Sequence, residues 1–442
     1  MKQLVVIFTL WLAWMPVGAQ KTLTLEECLK LGIENNLSLE GSRNEMRKAK
    51  HLLSENRAKL WPQISAVAGF NDNFNPPVSV TDGSAYGNLY NVTKTLQYNA
   101  SAGLQLQMPL YNQTVYTAVD IARTMNELNR LSYEKAREDL MMQISKMYYL
   151  GQNTMEQLTL IQENMVRLRE LRDITLAFFD NGMAMEVDVK RVNINLENQQ
   201  VQYDNAKSML VQQLNLLKYV MDYPAEEEIT LTPVDTERMQ SASLTGLRSD
   251  LYELQLLQSQ EKLAGQQKDL IRQSYLPSLT LTGSWMYSAY TDKARHWFHS
   301  GPSNHWYPST GLGITLRVPI FDGFDKRARI RKAQIDQENA RLNYENTLKN
   351  MQTQYLNATN ELMNNQRNFK KQKDNYLLAE DVYQVTTDRY REGIASMTEV
   401  LQDEMRMSEA QNNYLSAHYN YQMANLALLK LTGQMDRLLQ EN

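Results

Sequence analysis

Side chains able to do chemistry fall into a few sets in this sequence, and none of them composes an active site. His296, His299 and His305 lie close together among Trp297, Phe298 and Trp306. Imidazoles bind zinc when several donors converge at a set spacing. No cysteine or carboxylate completes a familiar pattern here, so no metal is expected. The aromatics read instead as loop packing or as a belt at a membrane interface. Cys28 is the one cysteine; it can form no internal disulfide and suits burial as a small apolar residue on a first helix. His51 and His418 sit in helical runs, where packed or solvated surface explains them. Asp188 and Glu399 are more informative, because their surroundings occur twice. Asn181-Gly182-Met183-Ala184-Met185-Glu186-Val187-Asp188-Val189 returns in type as Glu392-Gly393-Ile394-Ala395-Ser396-Met397-Thr398-Glu399-Val400. Each acid then falls in the first turn of a helix, where the helix N-terminus stabilises negative charge.

The duplication reaches further. Trp61-Pro62-Gln63-Ile64 is answered by Leu276-Pro277-Ser278-Leu279, and Met108-Pro109-Leu110-Tyr111 by Val318-Pro319-Ile320-Phe321. One structural unit used twice leaves no room inside the repeat for a single asymmetric active site. No GxxxxGK[ST], HExxH or GxSxG string occurs. The sequence therefore reads as a non-enzyme without a cofactor. Its net charge of −4 shows no basic excess for nucleic acid. Tyrosines (24) far outnumber phenylalanines (9), which suits long wetted surfaces. The start, Met1-Lys2-Gln3, then an apolar run over 4–17 and a small-residue end at Gly18-Ala19, reads as a signal peptide over 1–19. No later apolar run is long enough for a spanning helix. An exported chain of this kind is periplasmic, secreted or an outer-membrane barrel.

Glycine and proline mark the elements. No proline occurs over 112–222 or after Pro319, and neither residue occurs over 324–391. These stretches predict two long helices, 112–179 and 323–392, each about 100 Å long at 1.5 Å per residue. Apolar residues at three and four spacing, as in Leu158, Ile161, Met165 and Leu168, form a coiled-coil seam. Each long helix ends in a tip, at 180–186 and 393–398, where Gly182 and Gly393 supply the left-handed conformation of a helix cap. Return helices follow over 186–222 and 398–432. Shorter helices over 25–60 and 247–274 would pack along the remaining length. Four segments, about 62–72, 99–111, 277–289 and 310–321, alternate with period two and read as strands with one apolar and one polar face. Repeat 1 thus spans 20–235 and repeat 2 spans 236–442. The segments 71–97 and 290–309 that join the strand pairs are long, polar and aromatic. Four strands cannot close a membrane barrel, which needs about eight at least, and an open edge is not allowed in lipid. Transmembrane strands here must be shared among chains.

These residues resemble the TolC family of outer-membrane efflux channels. The resemblance is carried by TLTLEECLKLGIENNLSLE (22–40), NGMAMEVDVKRVNINLENQQ (181–200), the stretch from Glu392 to Gly433, and the strand-ending MPLYN and VPIFDG. It implies a fold that is mainly α with a membrane β-barrel portion and a two-fold internal repeat. Three chains would form a twelve-stranded barrel and a twelve-helix periplasmic tunnel. A small mixed domain would come from 223–245 and the C-terminal residues. The implied partners are two further copies of the chain, a periplasmic adaptor (membrane fusion) protein, an inner-membrane pump and outer-membrane lipid. The implied location is the outer membrane, extending into the periplasm, as the exit duct of a tripartite efflux or type I secretion system.

The resemblance also assigns sites. Gly182 and Gly393 would be the periplasmic tips, Asp188 and Glu399 the acidic rings of the closed end, and Tyr390 a gate aromatic. Gln402, with Asp403 beside it, stands where the family has a second acid, and Ala395 where an arginine tethers the closed tip. Gln105, Gln107, Thr315 and Arg317 would line the barrel lumen, with Arg317 placed to tune selectivity. The alternative is a soluble periplasmic coiled-coil adaptor or scaffold. Such a protein should carry one helical hairpin flanked by soluble β-domains, against two hairpins and two strand pairs here.

Overall fold

The computed structural model describes residues 21–82, 90–233, 246–292 and 306–440. The leader read over 1–19 and the cluster of His296, His299 and His305 lie outside the described residues. In chain order the elements are β1 (Lys21–Leu23), α1 (Leu25–Asn35), α2 (Leu37–Ala58), β2 (Gln63–Asp72), β3 (Val78–Asp82), β4 (Tyr90–Lys94), β5 (Tyr98–Tyr111), α3 (Gln113–Asp180) and α4 (Glu186–Met221). They continue with β6 (Ile229–Leu231), α5 (Tyr252–Gln273), β7 (Ser278–Thr291), β8 (Trp306–Arg317), α6 (Asp325–Arg391), α7 (Met397–Leu431) and a short 3-10 turn (Met435–Leu439). The chain is mainly helical. It divides into two compact units, one of 1–45, 130–256 and 344–442, the other of 46–129 and 257–343.

In the first unit, β1 and β6 pair in parallel, Leu23 opposite Leu231. Thr24 starts α1 with a capping box: its hydroxyl accepts from the Glu27 amide at 3.2 Å, and Glu27 accepts from the Thr24 amide at 2.9 Å. The helix expected over 25–60 breaks at Asn36. Its Nδ2 donates to the Val220 carbonyl at 2.8 Å, and its Oδ1 accepts from the Leu39 amide at 2.9 Å. Asparagine competes with the helix for backbone partners in this way. The core beneath combines Leu23, Leu29, Met141, Ile144, Leu217, Met221 and Leu231, all fully buried. Tyr148 donates from this core to the Leu23 carbonyl at 3.2 Å. Cys28 is buried in it, and desolvation pushes its thiol up to about 12, so it packs and does not react. Further along, α3, α6 and α7 are cross-linked by polar groups: Asn164 donates to Gln411 at 2.7 Å, and Arg167 lies 3.7 Å from Glu380.

In the second unit, one antiparallel sheet has the order β2-β5-β7-β8. Its register sets Gln63 opposite Gln107, Gln107 opposite Thr282 and Thr282 opposite Gly313. The next row joins Ile64, Leu106, Gly283 and Leu312. Paired residues share a face, so polar and apolar rows alternate across the sheet. A bulge falls between Pro109 and Tyr111, where proline has no amide to give the ladder. The strand expected over 310–321 instead runs Trp306–Arg317. Arg317 pairs with Ser278, the first residue of β7, so nothing remains for 318–321 to pair with, and Pro319 lacks an N–H. β3 and β4 form a hairpin within a segment expected to be loop.

A buried histidine and a half-buried glutamate in the first unit give stability opposite pH slopes. His418 stacks near Phe369 (5.2 Å) and Tyr414 (6.4 Å), its Nε2 has no hydrogen-bond partner, and burial lowers its pKa to about 4. The unfolded chain gains this proton near pH 6.5, so stability is lost as pH falls from about 6.5 to about 4. The full shift corresponds to about 3 kcal/mol. Glu138 is raised to about 7, chiefly by desolvation and against the opposing pull of Lys430. Its neutral form is favoured, so stability is lost as pH rises from about 4.5 to about 7. Partial exposure reduces that effect to roughly 1 kcal/mol. Thermal unfolding in detergent between about pH 4 and pH 8 should show the acid slope removed by His418→Leu and the opposite slope removed by Glu138→Gln. Unchanged slopes would refute these assignments.

Candidate functional site

The two glycine tips belong to the first unit and repeat the same backbone solution. Gly182 and Gly393 both adopt φ of +73°, a conformation that costs an L side chain energy. Gly182 donates to the Phe179 carbonyl at 2.9 Å and Met183 to that of Phe178 at 2.8 Å. Gly393 donates to Tyr390 at 2.9 Å and Ile394 to Arg389 at 2.8 Å. These are the reversed bonds that satisfy the last carbonyls of a helix.

The acids follow in the caps of the return helices. Glu399 closes a full capping box on α7: it accepts from the Ser396 amide at 2.7 Å, and the Ser396 hydroxyl accepts from the Glu399 amide at 3.3 Å. The Ser396 hydrogen bonds lower its pKa, and the side chain stays exposed. Asp188 accepts from the Met185 amide at 3.4 Å. It also meets Arg191 at 3.1 Å and is only 13% exposed. The two equivalent acids therefore differ: Glu399 is exposed and feels Arg389 without pairing directly with it, whereas Asp188 is ion-paired with Arg191. Asp403 is held within the chain by the Thr386 hydroxyl at 2.8 Å and by Arg406 at 3.2 Å.

Tyr390 is buried rather than free. Its ring lies 5.5 Å from Phe178, and its hydroxyl is 3.4 Å from that of Thr175. It shares an apolar cluster with Leu168, Leu171, Val192, Met397 and Val400. Ala395 is buried in the same cluster. Just beyond, Glu404 is 4% exposed with Oε1 unpartnered, and desolvation raises its pKa. Sequence reasoning missed Glu404 and the Asn164–Gln411 pair. Their signal was present as polar residues at seam positions of otherwise apolar spacing.

The sheet of the second unit presents the other candidate. Gln105, Gln107, Thr315 and Arg317 share one face with Thr280, Thr282 and Ser284. The opposite face carries Ile64, Leu104, Trp285, Leu312, Ile314 and Leu316, all exposed, Leu312 to 76%. An apolar face of this size turned to the surroundings needs a non-aqueous neighbour. Among the described residues no helix is long and apolar enough to cross a membrane.

A sequence model of the outer membrane efflux protein family matches residues 29–221 and 248–434. Outer membrane protein TolC of Vibrio cholerae is 22% identical over 325 residues, which cover 70% of this chain and 68% of that protein. The probable efflux pump outer membrane protein TtgC of Pseudomonas putida is 21% identical, with 71% and 63% covered. Among solved structures, VceC of Vibrio cholerae superposes with a TM-score of 0.76 at 15% identity, covering 92% of this chain and 96% of that one. The Neisseria gonorrhoeae MtrE outer membrane channel gives 0.74 at 19%, covering 94% and 91%. The soluble-scaffold alternative is thereby displaced, as is any assignment to an enzyme family. With both halves of the sequence matched, the chain belongs to the outer membrane efflux protein family and serves as an efflux exit duct of the outer membrane that extends into the periplasm.

Proposed function

We propose that three copies of this chain close one twelve-stranded barrel in the outer membrane and one twelve-helix tunnel in the periplasm, as a passive duct. The carrying observation is the four-stranded sheet, in which among the described residues β2 and β8 are each paired on one side only, together with its exposed apolar face. Lipid offers no hydrogen bonds to such edges, so further copies must supply them. Aromatic residues flank the apolar band at both ends: Trp61, Tyr111 and Phe321 at one, Phe70, Tyr290 and Trp306 at the other. That placement is typical of membrane strands. Gln105, Gln107, Thr315 and Arg317 then face the aqueous lumen. Family membership supports the remaining parts. A periplasmic adaptor docks at the tips near Gly182 and Gly393 and, through it, an inner-membrane pump; they, not the duct, select the cargo. Asp188 and Glu399, repeated around a three-fold axis, form rings at the narrow end, and Tyr390 secures the closed packing beside them.

Membrane fractionation and detergent-solubilised mass test the assembly. The protein should require detergent and run at three chains; solubility without detergent, or a clearly different mass, would refute it. Glu399→Ala should weaken divalent-cation block of single-channel current several-fold, and Asp188→Ala should add little, because Arg191 already screens that acid. Block unchanged in the double variant removes the ring. Arg317→Glu should shift reversal potentials toward cation selectivity, and an unshifted potential would place Arg317 outside the lumen.

A further inference from the structure

We propose that the helix-side end of the sheet in the second unit is a docking surface for anionic phospholipid headgroups. The proposal rests on the membrane-barrel reading above and extends it to lipid chemistry. By register, β2 begins, β5 ends, β7 begins and β8 ends at this one end: Gln63 lies opposite Gln107, Tyr111 opposite Leu279, and Ser278 opposite Arg317. Exposed aromatics crowd it, with Trp61 at 70%, Phe321 at 77% and Phe324 at 64%. Phe324 adopts φ of 70°, a left-handed conformation that costs a bulky residue energy. Its ring stands 5.6 Å from that of Phe321, edge to face.

Charge is then stacked next to this girdle. The first two turns of α6 hold Lys326, Arg327, Arg329, Arg331 and Lys332. Cations are disfavoured at a helix N-terminus, which carries positive partial charge itself. Within the unit, Asp325 lies 3.7 Å from Arg329, and Lys326 donates to the Ser274 carbonyl at 3.0 Å while lying 4.8 Å from the Tyr275 ring centre. Arg327, Arg331 and Lys332 are exposed and have no side-chain hydrogen bond or ion pair among the described residues. Arg57 at the end of α2 and Arg272 at the end of α5 add two more such cations. The far end of the sheet has no such run of cations among the described residues: it carries Asp72 and Asp292, with Lys94 at the base of the adjoining hairpin. Two helical turns span about 10 Å, comparable to one headgroup layer of roughly 5–8 Å. A dense layer of phosphates is the anion that fits an aromatic girdle on one side and a cluster of Lys and Arg charges on the other, since each cation near an anionic lipid surface adds to the attraction.

The test uses the full-length assembled protein inserted into vesicles of phosphatidylcholine, alone or mixed with phosphatidylglycerol, with native mass spectrometry of the lipids retained. The wild type should retain phosphatidylglycerol over phosphatidylcholine about tenfold beyond its share of the vesicle. The triple variant Arg327→Gln, Arg331→Gln, Lys332→Gln should fall to parity, and the variant Arg327→Lys, Arg331→Lys should keep most of the preference. Replacing Lys370, Lys371 and Lys373, elsewhere on α6, should change nothing. Wild-type parity, a preference that survives the triple variant, or its loss in the control variant would each overturn the proposal. Displacement of the bound lipid by inorganic phosphate would reassign the surface to a soluble anion and overturn the lipid assignment. Failure of the wild type to insert into either vesicle would sink the barrel reading itself, whereas insertion without lipid preference sinks this inference alone.

Discussion

Backbone hydrogen bonding in lipid is the constraint on which the rest of the molecule depends. The β2-β5-β7-β8 sheet alternates polar and apolar rows, turns an apolar face outward and leaves an unpaired edge on each side. In water such a face is a liability; in a bilayer the edges are, because each unpaired amide there costs several kilocalories per mole. Both demands are met when copies of the sheet pair edge to edge and close. In the proposed assembly four long strands per chain suffice, because symmetry would supply the closure.

The helical unit answers a different demand, which is to hold long helices together while most of their surface stays wet. Apolar clusters are spaced along it, and polar pairs such as Asn164 with Gln411 lie between them. A satisfied polar pair in a seam fixes register, because sliding one helix would strand both groups. The unpartnered Glu404 and His418 do not fit that role. Burial disfavours charge on both: it lowers the His418 pKa to about 4 and raises that of Glu404, against the opposing pull of Arg167. His418 thus gives the bundle a buried group that acid can charge.

Much of this was legible in the residues. The stretch without glycine or proline marks α6, and the paired Gly182 and Gly393 mark two turns with the same φ. Alternation in Leu104 to Leu110 and Leu312 to Leu316 separates the sheet faces. What escaped was set by contacts distant in sequence or too short to show a period. β1 and β6 have three residues each and owe their pairing to the core beneath. The break at Asn36 depends on the Val220 carbonyl, 184 positions away. The end of β8 is dictated by where β7 begins. At the tips, the pairing of Asp188 with Arg191 could be read from their spacing on a helix, whereas the hold of Thr386 on Asp403 joins two helices and could not.

The differences between the halves then acquire a physical meaning. Equivalent acids at the tips share a helix-capping geometry, yet Asp188 has Arg191 three residues on, and Glu399 has Gln402 there. The same backbone thus presents a screened charge in one copy and an open one in the other. At the sheet end, α3 begins with Gln113, Thr114 and Val115, while α6 begins with Asp325 and the cationic run. The two copies keep the same backbone conformation at the tips, φ of +73° at both glycines. The charges in the first turns differ between the copies on that common backbone. In the proposed assembly such sites would distinguish one copy of the repeat from the other without disturbing the backbone hydrogen bonds of the tips.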